Sequence, residues 1–167
     1  INGLYGRVAT CPRNNYGYKC IDNYIVGMGS KLPYNSLLRG KDLTDINFEN
    51  MDVKHIDFSH TKGRVLQCFK NYDIQNVSTV YKCFDNYIYG PNIDITGRDL
   101  RNIRFQNPSI FKNVSGIIKY CPIILDENMK CLNKTKVLIT KGTVHKNITF
   151  EDEILKQIDL SDVDFTD

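Results

Sequence analysis

The chain of 167 residues has no tryptophan, only three histidines and no long apolar run. A membrane-spanning helix needs about 18 or more consecutive apolar residues, so the sequence predicts no membrane span. The phosphate-binding patterns G-x-x-x-x-G-K and G-x-G-x-x-G are also missing, which removes the usual signals of nucleotide binding. The net charge of +3 is too small to indicate a nucleic-acid-binding protein or an acidic mimic of DNA. We therefore expect no cofactor and no specific nucleic-acid partner.

Six cysteines fall into three couples with recurring flanks: Cys11 and Cys20, Cys68 and Cys83, Cys121 and Cys131. This arrangement predicts three local disulfides in an oxidising compartment. Reduced thiols in a cytosolic protein are the first alternative. A zinc site is the second, although the spacings lack the tight C-x2-4-C pairs that zinc sites favour. A bridge closing a loop of about 10–15 residues contributes roughly 3 kcal/mol in the chain-entropy estimate.

The stretch from Lys41 to His60 repeats every five residues as KDLTD, INFEN, MDVKH and IDFSH. A period of five fits neither an ordinary helix nor an ordinary strand. We predict one short extended side and one corner per five, with two rows of inward side chains: Leu43, Phe48, Val53 and Phe58 in one, and Ile46, Met51 and Ile56 in the other. The Asp or Asn that precedes the third residue of each five is expected to bond backbone amides at the corner.

The whole chain is predicted to be a single repeat domain, 1–167, of three copies at approximately 6–62, 63–115 and 116–167. The segment YKCIDNYIVG at 18–27 recurs at 81–90 as YKCFDNYIYG, and INFENMDVKHIDFS at 46–59 recurs at 148–161 as ITFEDEILKQIDLS. Each copy begins with G-x-x-x-x-C and ends in a run of fives. We predict a disulfide-clipped hairpin in each front part, with one cysteine on each strand and Gly27 or Gly90 at a turn of unusual backbone angle.

The runs of fives resemble the pentapeptide-repeat family, whose usual pattern is A-(D/N)-L-x-x. The resemblance covers Lys41–His60, Arg98–Lys112 and Ile148–Asp167, and it implies a right-handed, four-sided β-helix with about four fives per coil. The predicted fold class is therefore all-β: a right-handed β-helix, or solenoid, of pentapeptide-type coils interrupted by three disulfide-clipped hairpins. Large Ile and Met stand where the family prefers Ala, which predicts wider or less regular coils.

The two ends of the sequence indicate a larger assembly. The chain starts at Ile1 rather than Met, and its last fives, IDLSD and VDFTD, carry no polar cap. Because solenoid ends need caps, we expect this chain to be part of a longer array or to have another subunit on its C-terminal coil. Protein partners, through self-association or a larger assembly, are therefore predicted.

The titratable residues form no recognisable catalytic or metal-binding motif, so no catalytic, cofactor-binding or metal-binding residue is predicted. We expect His55 and His60 to be solvated and the recurring Asp residues to be corner groups. Arg98, Arg101 and Arg104 predict a solvated basic face, with polyanion binding as the alternative. Four N-x-S/T sequons are possible glycosylation sites if the chain passes through a secretory pathway: Asn76, Asn113, Asn133 and Asn147.

The unit YKCIDNYIVG, followed by a G-x-D-L start, resembles a module found before pentapeptide runs in repeat proteins of large DNA viruses and some aquatic microbes. This resemblance implies a non-enzymatic structural or assembly protein, with a minor capsid or fibre component of a virion as the concrete expectation. It places the protein in the virion or outside the cell. The alternative is a binding module of a secreted effector or cell-surface adhesin that uses Tyr24, Tyr87 and Tyr89 as outward residues. An enzyme, the third class, would need a pocket in Lys31–Arg39.

Overall fold

The computed structural model describes residues 5–13, 16–70, 81–103, 111–123, 125, 129–132, 135–140, 143, 161 and 163. The chain divides into two compact units, Ile1–Tyr89 and Gly90–Asp167. The described residues form short strands, bridges and turns with one 3-10 helix at Asn35–Leu38, and they contain no α-helix. No helix among them is long and apolar enough to cross a bilayer. The β-rich character predicted from the sequence is confirmed, while the three copy boundaries stay a prediction.

Three antiparallel hairpins contain the regular strands. They pair in chain order: β1 (Tyr18–Ile21) with β2 (Tyr24–Gly27), β3 (Lys82–Phe84) with β4 (Tyr87–Tyr89), and β5 (Lys130–Leu132) with β6 (Val137–Ile139). The first two hairpins belong to the first unit and the third to the second unit. Their Tyr, Ile and Val side chains suit a pleated, half-buried surface.

The first two hairpins close through two-residue turns. Asp22 and Asn23 have φ angles of 49° and 67°, and Asp85 and Asn86 have φ angles of 48° and 61°. Positive φ at both turn residues is the geometry of a type I′ turn, whose twist matches that of the flanking strands. The third hairpin lacks the Asp-Asn pair, and four residues of sequence separate its two strands.

The predicted placement of the cysteines and glycines on the hairpin is wrong. Cys20 lies on β1, but its partner Cys11 lies before the hairpin, because the two-residue turn already closes β1 onto β2. Neither Gly27 nor Gly90 has a positive φ. Gly27 is required for space instead, since a Cβ there would lie 2.6 Å from the backbone oxygen of Gly17.

The disulfides join the predicted partners: Cys11 to Cys20, Cys68 to Cys83, and Cys121 to Cys131. Their Cα atoms are 5.5 to 5.7 Å apart, which is the usual separation across a disulfide. The second cysteine of each pair lies on the first strand of a hairpin. Each disulfide therefore fastens a hairpin to the segment that precedes it.

The run of fives supplies the core of the first unit. All seven residues that were predicted to point inward are buried, with exposed fractions of 0 to 9%: Leu43, Ile46, Phe48, Met51, Val53, Ile56 and Phe58. In the second unit the equivalent Leu100 and Ile103 are also buried. The residues at the same places in the other fives of the second unit, which the five-residue period also predicts to point inward, lie outside the described residues: Phe105, Ile110, Phe150, Leu155, Leu160 and Phe165.

The backbone turns once in each five of this run. The N–H groups of Ile46, Met51, Ile56 and Thr61 donate to carbonyls three residues earlier, at 3.1 to 3.2 Å. Positive φ occurs on the same five-residue period at Gly40, Asp45, Asn50 and His60. The third residue of a type II turn needs such a φ, and Gly, Asn and Asp tolerate it best. The corners thus explain why Asp and Asn recur here.

Parallel pairing joins each run to the segment that follows it. The bridges in the first unit are Asp42 to Lys62 and Asn47 to Gln67, and those in the second are Asp94 to Ser115 and Asp99 to Tyr120. These two bridges of the first unit span four fives of sequence, and the two bridges of the second unit span a single position more. A further parallel bridge in the first unit joins Gly17 to Ile46.

We expect Phe48→Ala to destabilise the protein by about 3–5 kcal/mol, because it removes a fully buried aromatic ring. The Phe48 ring lies edge-on to Phe58 and Phe69, with centroids 5.7 and 6.4 Å away. Urea unfolding with the disulfides intact measures the change. The exposed His55 is the control, since His55→Ala should change stability by no more than about 0.5 kcal/mol. A cost for Phe48→Ala as small as that of the control would contradict the inward assignment.

Candidate functional site

Carboxylate and amide side chains hold the corners of the runs. As expected from the sequence, an oxygen of each side chain accepts a hydrogen bond from the backbone N–H of the residue two positions further on, at 2.8 to 3.2 Å. The side chains are those of Asp42, Asn47, Asp52, Asp57, Asp94 and Asp99. Asp42 and Asp94 also accept the hydroxyls of Thr44 and Thr96 at 2.6 Å. These hydrogen bonds give the carboxylates a structural role. Asp159 and Asp164 lie outside the described residues.

A glycine lies directly over two of these corners. Gly63 has a φ of +94°, and a Cβ there would lie 2.6 Å from Asp42 Oδ1 and 2.7 Å from Thr44 N. Gly116, with a φ of +107°, meets Asp94 and Thr96 in the same way. We call this arrangement the corner–glycine contact. Sequence reasoning missed it, although G-x-x-x-x-C follows D-x-T at nearly the same distance in both units.

The short stretches that carry these glycines are equivalent in all three copies, and we call them front segments: Tyr5–Thr10, Lys62–Gln67 and Ser115–Tyr120. The fourth residue of each donates its N–H to a hairpin-turn carbonyl: Val8 to Asn23 at 2.7 Å, Val65 to Asn86 at 2.9 Å, and Ile118 to Lys136 at 2.8 Å. All three acceptors have positive φ. The hairpin therefore holds one edge of every front segment in the same way.

The opposite edge of the second and third front segments pairs with a run. In the first unit, Leu43 N donates to Lys62 O at 2.8 Å, and Leu66 N donates to Ile46 O at 2.9 Å. In the second unit the same pattern recurs: Ile95 N donates to Ser115 O at 2.9 Å, and Lys119 N to Arg98 O at 2.8 Å. The second and third front segments are thus each held between a hairpin and a run by backbone hydrogen bonds.

Tyr81 and Asp57 form a half-buried hydrogen-bonded pair. The Tyr81 hydroxyl donates to Asp57 Oδ1 at 3.1 Å, and that oxygen also accepts Ser59 N. Burial raises the pKa of Asp57, but the hydrogen bonds from Ser59 and Tyr81 outweigh it and hold the pKa below 3.8. Burial and the negative charge of Asp57 raise the pKa of Tyr81 to about 12. The pair therefore stays as phenol and carboxylate across the neutral range.

The predicted solvated basic face is wrong at Arg98. Arg98 is buried, because it occupies the inward first place of its five, where Ile46 and Met51 stand in the other run. Arg101 is exposed, but its guanidinium binds Asp99 at 2.6 Å and lies 4.1 Å from the centre of the Tyr120 ring. Arg104 lies outside the described residues. Arg98 and Arg101 therefore do not lie together on an exposed basic face.

The described residues contain no group of three or more His, Cys, Asp or Glu side chains that could hold a metal ion. His55 and His60 are exposed, and His145 lies outside those residues. The insertion Lys31–Arg39, where the enzyme alternative would place its pocket, contains the 3-10 helix with Leu37 and Leu38 buried.

An open cleft of about 460 Å³ lies in the first unit, lined by Pro12, Tyr18, Lys19, Cys20, Asp42, Thr44 and Asp45. Lys19 Nζ donates to the backbone oxygen of Asp42 at 2.8 Å and lies 3.9 Å from its carboxylate. The Asp42 carboxylate also holds its corner. Lys19 and Asp42 are therefore engaged in holding the backbone beside this cleft.

The exposed aromatic residues differ from those expected. Tyr89 is fully buried, and Tyr24 and Tyr87 are half-buried, so the outward placement predicted for Tyr89 is wrong. Among the described residues, the large apolar side chains that are exposed are Tyr5, Tyr16 and Tyr34 in the first unit and Ile117, Tyr120 and Ile123 in the second. Tyr5, Ile117 and Tyr120 lie on front segments, and Ile123 follows one closely in the sequence.

One predicted glycosylation site falls among the described residues. Asn113 is exposed at a turn with a φ of 55°, and its side-chain amide donates to Asn92 Oδ1 at 3.1 Å. Asn76, Asn133 and Asn147 lie outside the described residues. Glycosylation stays a prediction at all four positions.

Comparison of the chain with protein-family models, with curated proteins and with solved structures finds no match. The resemblances to pentapeptide-repeat proteins and to the viral module therefore stay predictions. The corners, the glycines and the disulfides are the features from which a function can be inferred.

We expect Gly63→Ala to destabilise the first unit by about 3 kcal/mol or more, since it combines an unfavourable φ with overlap against the Asp42 corner. Gly40→Ala is the matched control, because Gly40 has a φ of +69° but nothing within 4 Å of its Cβ position. Positive φ alone should cost about 1–2 kcal/mol there. Chemical unfolding compares the two variants, and equal costs would contradict the close approach.

We expect Asp57→Asn to lower the pKa of Tyr81 from about 12 without returning it to 10, because burial is the largest cause of the shift. Titration of the assigned Tyr81 ring resonances by NMR measures this change. Because the pKa of Tyr81 is raised, the protonated Tyr81 contributes its full share of the folding free energy below pH 10. That contribution is lost as the pH rises from 10 to about 12. Tyr81→Phe should therefore reduce the loss of stability in that window. A wild-type pKa near 10 would contradict the pairing.

Proposed function

We propose that this chain is a non-enzymatic structural protein that acts in an assembly outside the reducing cytosol, as a minor capsid or fibre component of the virion of a large DNA virus. The observation that carries the proposal is the parallel pairing of each run with the front segment that follows it, repeated at nearly the same offset in both units. Such pairing forms layers that differ little from one to the next, which is how repeat proteins build extended scaffolds.

In this proposal, four fives make one coil of a right-handed β-helix. The offset of the bridges from Asp42 to Lys62 and from Asn47 to Gln67 supports four fives per coil, and the turn in every five supports a corner between successive sides. The two rows of buried side chains support an inner face that is filled rather than hollow. The hairpins would then lie outside the coils, attached by their disulfides.

The three disulfides support a location in the virion or outside the cell, because disulfides persist in oxidising surroundings. They also support a structural role. Each one joins the end of a front segment to a hairpin, so that two weakly packed elements are held together where the core is small. All six cysteines are used in this way.

A non-enzymatic role is supported by what the polar groups of the runs do. A catalytic site needs convergent polar groups at a pocket. Here Asp42, Asp57 and Asp99 hold corners and pair with Lys19, Tyr81 and Arg101. The recurring carboxylates are therefore part of the scaffold.

A binding module of a secreted effector or an adhesin is the second candidate. It is favoured by exposed apolar side chains in the second unit, where Ile117 is 58% and Ile123 is 76% exposed. Tyr120 lies between them in sequence, beneath the Arg101 guanidinium. Where the third front segment has Ile117, the other two have Arg7 and Arg64, so this exposed isoleucine belongs to one copy alone. Exposed apolar groups of this kind mark interaction surfaces.

The location of the protein separates the two candidates. Virus particles and cell-free medium from the cells that make this protein are purified separately and analysed by mass spectrometry. Free thiols are blocked with iodoacetamide before any reduction. We expect the chain in the particles at a constant ratio to the major capsid protein, with all six cysteines unalkylated. A chain found only in the medium would support the binding module, and six alkylated cysteines would contradict the oxidising location.

A further inference from the structure

We infer that the run of fives at 41–60 is an acid-sensitive switch. Its corner carboxylates hold the backbone turns closed while they are ionised, and they release the turns when they take up protons from solvent. The disulfides keep the hairpins attached in both states, so the change is reversible. The inference goes beyond the proposed assembly function, because it concerns a single chain and needs no partner.

Carboxylates hold the corners near both ends of this run. Asp42 Oδ1 accepts Thr44 N at 2.9 Å and the Thr44 hydroxyl at 2.6 Å. Asp57 Oδ1 accepts Ser59 N at 2.8 Å and the Tyr81 hydroxyl at 3.1 Å. A hydrogen bond to an ionised acceptor is roughly twice as strong as one between neutral groups. Protonation of either carboxylate therefore weakens its corner.

Charged side chains from neighbouring elements face the same two carboxylates. Lys19 on β1 has its Nζ 3.9 Å from the Asp42 carboxylate, and the charge of Lys62 on the second front segment also attracts it. Asp57 feels the positive charge of Arg39, at the end of the insertion. Each carboxylate thus ties the run to other elements. These attractions are lost together with the corner when the carboxylate becomes neutral.

The second unit repeats this arrangement. Asp99 Oδ1 accepts Arg101 N at 3.1 Å, and Asp99 Oδ2 accepts Arg101 Nη2 at 2.6 Å. The hydrogen bonds from the Arg101 side chain and backbone hold the pKa of Asp99 below 3.8, with a further contribution from the charge of Lys119 on the third front segment. Asp94 holds its corner through Thr96, as Asp42 does through Thr44.

The corners are coupled to the core of the first unit. Leu43 directly follows Asp42, and Phe58 directly follows Asp57. Both apolar side chains are buried, with exposed fractions of 1% and 0%. A corner that opens therefore displaces a buried side chain next to it, and loss of core contacts is costly. Protonation of the corners should for this reason lower the stability of the run as a whole.

The direction of the pH dependence follows from the pKa values. Hydrogen bonds from the Thr44 hydroxyl and N–H, then the charges of Lys19 and Lys62, hold the pKa of Asp42 below 3.8. The pKa of Asp57 is also below 3.8. A carboxyl group whose pKa is lowered by folding stabilises the fold above 3.8, and this contribution is lost as the pH falls through the folded pKa. The switch is therefore closed at neutral pH and opens in strongly acidic solution.

The disulfides are not affected by the same change of pH. All six cysteines are bonded, and each bridge joins a hairpin to the segment before it. Disulfide exchange needs a thiolate, which acid removes. The bridges therefore keep the hairpins in place while the corners open, and the run can close again at neutral pH.

One corner of this run has no titratable group and shows which substitution to use. Asn47 Oδ1 accepts Glu49 N at 2.8 Å, so an amide oxygen forms the same turn as a carboxylate oxygen. The double variant Asp42→Asn/Asp57→Asn should therefore fold, while its two corners no longer respond to pH.

Urea unfolding of the whole chain at pH 6 and pH 2.5, with the disulfides intact, tests the inference by circular dichroism. We expect the wild-type midpoint to fall at pH 2.5 and to recover after return to pH 6. The fall should be about half as large in Asp42→Asn/Asp57→Asn, because two of the three carboxylate corners of this run no longer titrate. The reciprocal variant Asn47→Asp should increase the fall.

Asp45→Asn is the matched control. Asp45 is exposed beside Asp42 in the same run, and its φ of 63° is close to the 58° of Asn50, so asparagine suits the position. Its side chain accepts no corner hydrogen bond, whereas its replacement makes the same change in charge. This variant should show the same fall as the wild type.

A wild-type midpoint that is equal at pH 6 and pH 2.5 would overturn the switch. So would an undiminished fall in Asp42→Asn/Asp57→Asn, or an equal reduction in Asp45→Asn, which would assign the effect to net charge. If the double variant does not fold at pH 6, an unchanged fall in Asn47→Asp would overturn the role of the corners. A midpoint that does not recover at pH 6 would overturn the reversibility. Absence of the chain from virus particles would refute the proposed function alone.

Discussion

The structure depends on how the backbone amides at the corners are satisfied. A chain that turns every five residues leaves N–H groups that cannot pair with a neighbouring strand, and unpaired amides away from water are costly. Asp42 and its equivalents accept one such N–H, while a residue with positive φ, such as Asp45, completes the turn. Leu43 and Ile46, on either side of this arrangement, are then directed inward. The corner thereby sets both the period of five and the two apolar rows.

The same corners determine how successive segments connect. Because a corner is compact, the next segment can approach it closely only where that segment has no side chain, and Gly63 and Gly116 meet this requirement. The front segment that carries the glycine is also bonded to a hairpin turn through Val65 or Ile118 and is joined to the hairpin by a disulfide. Run, front segment and hairpin are thus coupled, and a change at one glycine acts on all three.

The sequence predicts those features that recur on a fixed period or with fixed flanks. Phe48 and Phe58 follow the five-residue period, and Cys68 and Cys83 have counterparts in both other copies, so burial and disulfide pairing could both be predicted. The position of the hairpin turns is harder to predict from the sequence. Asp22-Asn23 forms the first turn but is a weaker turn signal than Asn-Gly or Asp-Gly. The sequence does not predict the burial of Arg98, because a guanidinium normally lies in water whatever its place in the five. The corner–glycine contact joins residues that are far apart in sequence, which no local pattern specifies.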